Sequence, residues 1–355
     1  MLADSLVATA DALPFDQKRL TIFLRDRLPD LDGAVAIRQF KGGQSNPTFL
    51  IEGEGARYVL RKKPGGAILP SAHQIDREYR VMRALADTPV PVPRMDLLHE
   101  DADLIGTSFY IMEAVEGRIF HDCTMPGVTV EERGAMYFGM ADALADLHAV
   151  DWRAAGLEGY GKPDAYLERQ VALWTRQFDK SRTEPIEAME QLSAWLAAHI
   201  PAAAPATITH GDYRVGNLVF APADAGIKAV LDWELATIGH PLADLAYNCL
   251  PYHLASGLPG IPGLADIDIA ALGIPSERAM LDRYAARSGR GEIADWNYYL
   301  AFALFRTAAI LQGIHARALQ NNAANADALE VGRNAAYVAG VGWDCARGVT
   351  HAGRS

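Results

Sequence analysis

Residues 208–220 read Ile-Thr-His-Gly-Asp-Tyr-Arg-Val-Gly-Asn-Leu-Val-Phe, and after a turn residues 230–234 read Val-Leu-Asp-Trp-Glu. Short apolar runs flank the polar stretch, so the pattern predicts a strand, a loop carrying Asp212 and Asn217, and a later strand that delivers Asp232 at its end. An aspartate and an asparagine five positions apart in one loop can present both side chains to one point. Phosphoryl transfer asks for a carboxylate to orient an attacking hydroxyl and for hard oxygen ligands on a magnesium ion that bridges the phosphates. Asp212 suits the first role, and Asn217 and Asp232 suit the second. A lone loop aspartate is usually a turn or cap residue; the three together carry the reading. His210 is read as a support of the loop rather than an acid or base, and Glu234 as either a helper at the metal or an exposed carboxylate.

Working outward, the chain has 355 residues, half of them hydrophobic, which is enough for two lobes with separate cores. A formal charge of −11 argues against a nucleic-acid partner, which would need clustered lysine and arginine. Cys123, Cys249 and Cys345 are far apart and form no CxxC pair, so neither a disulfide framework nor a cysteine zinc site is expected, and the cytoplasm is the expected location. The first residues lack a basic segment and carry Asp4 and Asp11, unlike a secretory signal. The most apolar later stretch, residues 296–314, contains Arg306 and reads as a buried helix, so no membrane segment is placed.

Apolar spacing predicts a leading helix over residues 15–29, then strands over 34–40, 48–52 and 57–61, a helix over 71–86, and strands over 94–99 and 108–114. Helices follow over 131–149, 164–178, 185–199, 276–287 and 295–319, interrupted by the strand-and-loop region 206–233. Residues 156–162, Gly-Leu-Glu-Gly-Tyr-Gly-Lys, match the spacing of a P-loop, but Pro163 replaces the Ser or Thr that would meet magnesium and no buried strand precedes it. They read as a plain loop.

The segments HGDYRVGN (210–217) and LDWE (231–234) resemble the aminoglycoside and choline kinase-like phosphotransferase family, whose HGDxxxxN loop corresponds to the catalytic loop of protein kinases. The match extends from about residue 34 to residue 247. It implies an α+β, two-lobed protein-kinase-like fold with an N-terminal antiparallel sheet carrying one helix and a mainly helical C-terminal lobe. Residues 1–113 are then the nucleotide-binding lobe with its leading helix, and 114–355 hold the catalytic loop and the acceptor-binding helices. Residues 40–49 resemble the family's phosphate-covering hairpin, with Gly43, Gln44, Ser45 and Asn46 as contacts; 58–62 resemble its phosphate-binding strand, and 77–79 the helix supplying an ion-pair Glu, here Glu78. Arg61 is the candidate phosphate-binding cation, since it shares a strand face with Val59 while Lys62 points the other way. Residues 112–115 resemble the hinge that meets adenine, placing Glu113 and Val115 at the base. Asp244 matches a position that hydrogen-bonds the catalytic loop from a helix start.

The resemblance therefore implies an ATP-dependent, Mg2+-using kinase acting on a hydroxyl of a small molecule. Tyr160, Tyr166, Arg169, Gln170, Trp174, Tyr299, Arg306 and Gln312 are candidate acceptor-pocket residues, although aromatics at helical spacing are mostly core. The segments at 42–49, 59–66, 69–82 and 156–171 are further similar to the branch fused in some proteins to acyl-CoA dehydrogenases, which implies a hydroxyacyl thioester or related metabolite as acceptor. The alternatives are an aminoglycoside-type antibiotic kinase and a nucleotide-binding partner protein without transfer activity; the intact Asp212, Asn217 and Asp232 speak against the latter.

Overall fold

The computed structural model describes residues 13–40, 46–64, 74–202, 204–320 and 327–349. In chain order they form α1 (Gln17–Arg25), β1 (Ala36–Gln39), β2 (Thr48–Glu52), β3 (Arg57–Lys62), α2 (Ile75–Leu85), β4 (Met95–His99) and β5 (Phe109–Glu113). Next come α3 (Val130–Ala149), α4 (Tyr166–Ser181), α5 (Glu187–Ala198), β6 (Thr207–Thr209), β7 (Leu218–Phe220), β8 (Ile227–Val230) and β9 (Thr237–Gly239). The helices α6 (Pro241–Cys249), α7 (Glu277–Ser288), α8 (Trp296–Leu319), α9 (Ala328–Arg333) and α10 (Ala335–Ala346) complete the order. The architecture is α+β, an antiparallel sheet with one inserted helix followed by a mainly helical part, as expected.

The described chain divides into two compact units. One comprises residues up to Ile119 together with Ala154–Leu157 and Leu218–Ala236; the other comprises Phe120–Arg153, Glu158–Asn217 and the chain from Thr237 on. The division expected at residue 113 thus differs in one consequential part, because residues 218–236 cluster with the sheet. The cause is hydrogen bonding: the amides and carbonyls of Arg118 and Phe220 bond reciprocally at 2.8 and 2.9 Å, and the Val230 amide donates to the Pro91 carbonyl at 2.8 Å.

In the first unit the strands lie in the order β1-β2-β3-β5-β4, with all neighbours antiparallel. Strand alternation sends Phe49, Ile51, Leu60, Phe109 and Ile111 to one face, where Leu20 and Leu24 of α1 complete an apolar cluster. Asp16 caps α1 by accepting from the Lys18 and Arg19 amides. Arg61 stands opposite Tyr110 in the register, so these two side chains share the other face. Lys62, opposite Phe109, is buried on the apolar face and returns its ammonium to the Lys63 carbonyl at 3.0 Å.

In the second unit α8 is buried along most of its length, which explains its nearly continuous apolar sequence. Among the described residues no helix is long and apolar enough to cross a membrane. β6 and β9 form a two-stranded ladder, Thr207 opposite Gly239, which sets the start of the 210–217 loop beside the start of α6. Residues 156–162 contain turns only, with Gly156 and Gly159 at positive φ, in keeping with a plain loop. α9 and α10 were not expected from the sequence; α10 is rich in Ala and Gly and buries a small-residue face rather than a stripe of large apolar side chains.

Candidate active site

The turn after β6 is held by its peptide groups. Gly211 adopts φ +83°, a left-handed conformation that costs a side-chain-bearing residue strain. Asp244, in the first turn of α6, accepts the amides of His210 at 2.5 Å and Gly211 at 2.9 Å. On the other side of the same residue, Arg306 Nη2 donates to the Gly211 carbonyl at 2.6 Å. Burial acts to raise the pKa of Asp244, but the hydrogen bond and charge of His148, together with His210 and the Gly211 amide, hold it below the usual carboxylate range. His210 is fully buried, and its Nδ1 accepts the Asp212 amide at 3.2 Å, as a loop support would.

Within this turn Asp212 and Asn217 meet. Asn217 Nδ2 donates to Asp212 Oδ2 at 2.8 Å and to the Asp212 carbonyl at 2.9 Å, and neither bond uses Asn217 Oδ1, the atom an asparagine offers a cation. A single 3-10 turn, Val215–Asn217, brings the two residues together. Arg214 Nε lies 3.4 Å from Asp212 Oδ2. Burial, and then the Asp212 carboxylate, push the Tyr247 hydroxyl above its ordinary pKa, so it stays a neutral partner of Asp212.

The first unit carries a different constellation. Arg61 Nη2 donates to Asp232 Oδ1 at 2.8 Å and lies 3.8 Å from Glu234 Oε2. Its Nε approaches Glu78 Oε2 to 3.0 Å as an ion pair without the alignment of a hydrogen bond. Glu78 is further bound by Asn46 Nδ2 at 2.8 Å and the Tyr110 hydroxyl at 3.0 Å. Burial and the carboxylates of Asp232 and Glu234 outweigh these partners and push Glu78 up to about 7. Burial works against the Arg61 charge, yet Tyr110, Glu78, Asp232 and Glu234 hold its pKa above the ordinary value. Asp232 itself adopts φ 65°, ψ 62°, an uncommon conformation for a residue other than glycine and one that collects at functional positions.

Gly43, Gln44 and Ser45 lie outside the described residues. Asn46 is fully buried; its Oδ1 has no hydrogen-bond partner among the described residues. Glu113 ends β5 and Val115 follows beyond the last paired position, Tyr58 opposite Glu113. Of the candidate acceptor residues, Tyr160, Tyr299 and Gln312 are interior, and Gln312 is bonded to the Ser181 carbonyl and the Thr183 hydroxyl. Arg306 is also buried, lying over the rings of Trp174 and Tyr247 and serving the turn through Gly211. That role escaped the sequence, where an arginine within an apolar helix has no visible partner.

Among the described residues no group of three His, Cys, Asp or Glu side chains could hold a metal alone. Asp232 and Glu234 in the first unit, and Asn217 in the second, each offer hard oxygen atoms, the donor type that magnesium takes alongside waters and substrate phosphates and that zinc sites built on Cys and His lack.

Residues 36–285 match the sequence model of the phosphotransferase enzyme family. The chain is 45% identical over 314 residues to acyl-CoA dehydrogenase family member 10 of Mus musculus, covering 88% of this chain and 29% of that protein. It is 41% identical over 327 residues to acyl-CoA dehydrogenase family member 11 of Homo sapiens, covering 90% of this chain and 42% of that protein. The chain thus spans well under half the length of these relatives. A crystal structure of a Ralstonia eutropha protein, assigned provisionally as an aminoglycoside phosphotransferase, superposes with a TM-score of 0.86 at 45% identity, covering 95% of this chain and 100% of that one.

Proposed function

The chain belongs to the phosphotransferase enzyme family, a kinase-like fold acting on small molecules, and from that premise we propose that it moves the γ-phosphate of ATP onto a hydroxyl of a hydroxyacyl thioester or related hydroxy metabolite. The observation that carries the reading is the Asp212 carboxylate, oriented by Asn217 at 2.8 Å in a turn pinned through its own peptide groups. Asp212 orients the acceptor hydroxyl and takes its proton as the hydroxyl oxygen bonds to the γ-phosphorus; the bond from that phosphorus to the β–γ bridging oxygen breaks and ADP leaves. Magnesium, when bound, neutralises charge developing on the phosphates. Asn217 and Asp232 offer it oxygen atoms, and Arg61 and Asn46, with Gly43, Gln44 and Ser45, serve the phosphates. Glu78 orients Arg61. Backbone groups of Glu113 and Val115 meet the adenine.

The acceptor class rests on the relatives, whose names refer to acyl-CoA chemistry. The cytoplasm is the proposed location, since Cys123, Cys249 and Cys345 are all unpaired thiols. The test is transfer of labelled γ-phosphate from Mg-ATP to a panel of hydroxyacyl-coenzyme A thioesters, free hydroxy acids and aminoglycosides. Labelled phospho-product from a thioester or hydroxy acid is expected. Transfer to aminoglycosides alone, or nucleotide binding with no transfer to any member, overturns the proposal.

A further inference from the structure

Beside the turn that carries Asp212, and wholly within the second unit, lies a cavity of about 440 Å³. That volume is in the range of small-molecule sites. Arg214 and His121 form one wall. The glycine-rich stretch after α6 also lines the cavity, through residues 256–258 and 260–263, Leu258 and Ile261 among them, together with Ile267. The Arg214 and His121 side chains both pass beside Gly216: a Cβ at that position would stand 2.6 Å from Arg214 Nη1 and in ordinary contact, 3.5 Å, with His121 Nδ1.

The charges in this cavity are unevenly committed. Asp122, the one carboxylate in the lining, accepts the Thr124 amide and hydroxyl, both at 2.8 Å, on a single oxygen. Asp266, nearby, accepts the Ser256 amide at 2.7 Å and hydroxyl at 3.1 Å. Both are therefore occupied in closing local turns. Arg214 is 41% exposed, and among the described residues its one ion pair is the 3.4 Å approach to Asp212. The cavity thus has a cationic side beside Asp212 and apolar lining from Leu258, Ile261, Pro262 and Ile267. A guanidinium fork suits a carboxylate or other paired oxygen acceptors. A polycationic acceptor would meet Arg214 as a like charge and be disfavoured.

We propose that this cavity seats the acceptor, with Arg214 and His121 binding a carboxylate or carboxyl-derived oxygen of an aliphatic hydroxy compound and with Leu258, Ile261 and Ile267 covering its carbon chain. The assignment rests on the phosphotransferase reading above and adds the residues that select the acceptor. Arg214 then works at two distances, steadying Asp212 and fixing the molecule whose hydroxyl Asp212 addresses.

The test uses hexanoate, hexan-1-ol and hexylamine as probes of the full chain without nucleotide, followed by saturation-transfer NMR titration. Hexanoate is expected to bind the native protein, and about 10-fold more weakly to Arg214→Gln and to Ile261→Trp, the latter filling the cavity away from the catalytic turn. Hexylamine is expected not to bind. The proposal is overturned if hexanoate fails to bind the native protein, or binds both variants with unchanged affinity while melting shows them folded. Mg-ATP turnover is measured in parallel: a native protein that binds hexanoate as described but transfers no phosphate sinks the kinase reading and leaves the cavity assignment standing. Turnover without carboxylate binding does the reverse.

Discussion

Around Asp212 the fixing contacts reach peptide groups: Asp244 takes two amides of the turn, Arg306 takes a carbonyl, and Asn217 spans the Asp212 side chain and main chain. Around Asp232 the contacts run between charged side chains, with Arg61 shared among Asp232, Glu78 and Glu234. The first arrangement sets a geometry before any ligand arrives, because peptide groups in a closed turn have little freedom to reorient. The second is a balance of charges, open to redistribution by the cation or phosphate proposed to bind there. Preorganisation suits the proton acceptor proposed for Asp212, whereas adjustable pairing suits the metal ligand proposed for Asp232, which would exchange partners on nucleotide binding.

The largest effect that would sharpen this contrast comes from exchanging the two carboxylates. Asp212→Asn should lower single-turnover transfer by roughly 100-fold or more while Mg-ATP affinity by calorimetry is kept. Asp232→Asn should lower both together. Native-rate transfer by Asp212→Asn would break the comparison outright.

Next in size is Asp244→Asn. The amide retains one acceptor oxygen for two peptide donors, so one buried N–H is left unpaired and stability should fall by about 2–3 kcal/mol in urea unfolding. If the peptide anchors matter to catalysis, turnover falls further than Mg-ATP affinity. An unchanged midpoint would mean that the turn is held by something other than Asp244.

His240 gives a pH signature on the same helix. Its Nδ1 accepts the Leu242 amide at 3.3 Å, and burial, followed by the charges of Arg290 and His148, holds its pKa down to about 4. An unfolded histidine takes its proton near pH 6.5. Between those values the unfolded chain binds a proton that the native protein does not, so stability falls as pH drops from about 6.5 toward 4 and this loss then levels off. The amplitude is about 3 kcal/mol, read from melting curves across that window. His240→Gln should flatten the acid limb, and an identical limb in the variant would remove His240 as its cause.

An effect of comparable size is expected from ligand stabilisation. Saturating Mg-ATP at a hundredfold excess over its Kd should add about 2–3 kcal/mol to unfolding stability. The shift should persist in Asp212→Asn and shrink in Asp232→Asn; equal shifts would show that the two aspartates do not divide the work as described.

The sequence made local spacing legible. The Asp212 and Asn217 loop, the five strands of the sheet and the opposite directions of Arg61 and Lys62 all follow from patterns of a few residues. What escaped it depends on contacts far apart in the chain. Arg306 meets Gly211 from 95 positions away. The hairpin bearing Asp232 sides with the sheet because Phe220 bonds Arg118, a pairing no periodicity announces. α10 was missed for a different reason: Ala and Gly in Ala335–Ala346 carry weak periodic signal, so its burial is visible only once its neighbours are present. The 440 Å³ cavity was equally hidden, since its walls come from three separate stretches of chain.

The interleaving of the two units has a practical side for anyone dividing this protein into parts. A fragment ending near residue 119 would keep the five strands and α2 but would lose residues 218–236, and with them the Phe220 bonding partner of Arg118, the Val230 amide on Pro91 and two of the three carboxylates that share Arg61, Asp232 and Glu234. An independently expressed sheet unit would therefore need the hairpin grafted back, for example by joining 218–236 after residue 119 through a short flexible connector, before its nucleotide affinity could be compared with that of the whole chain.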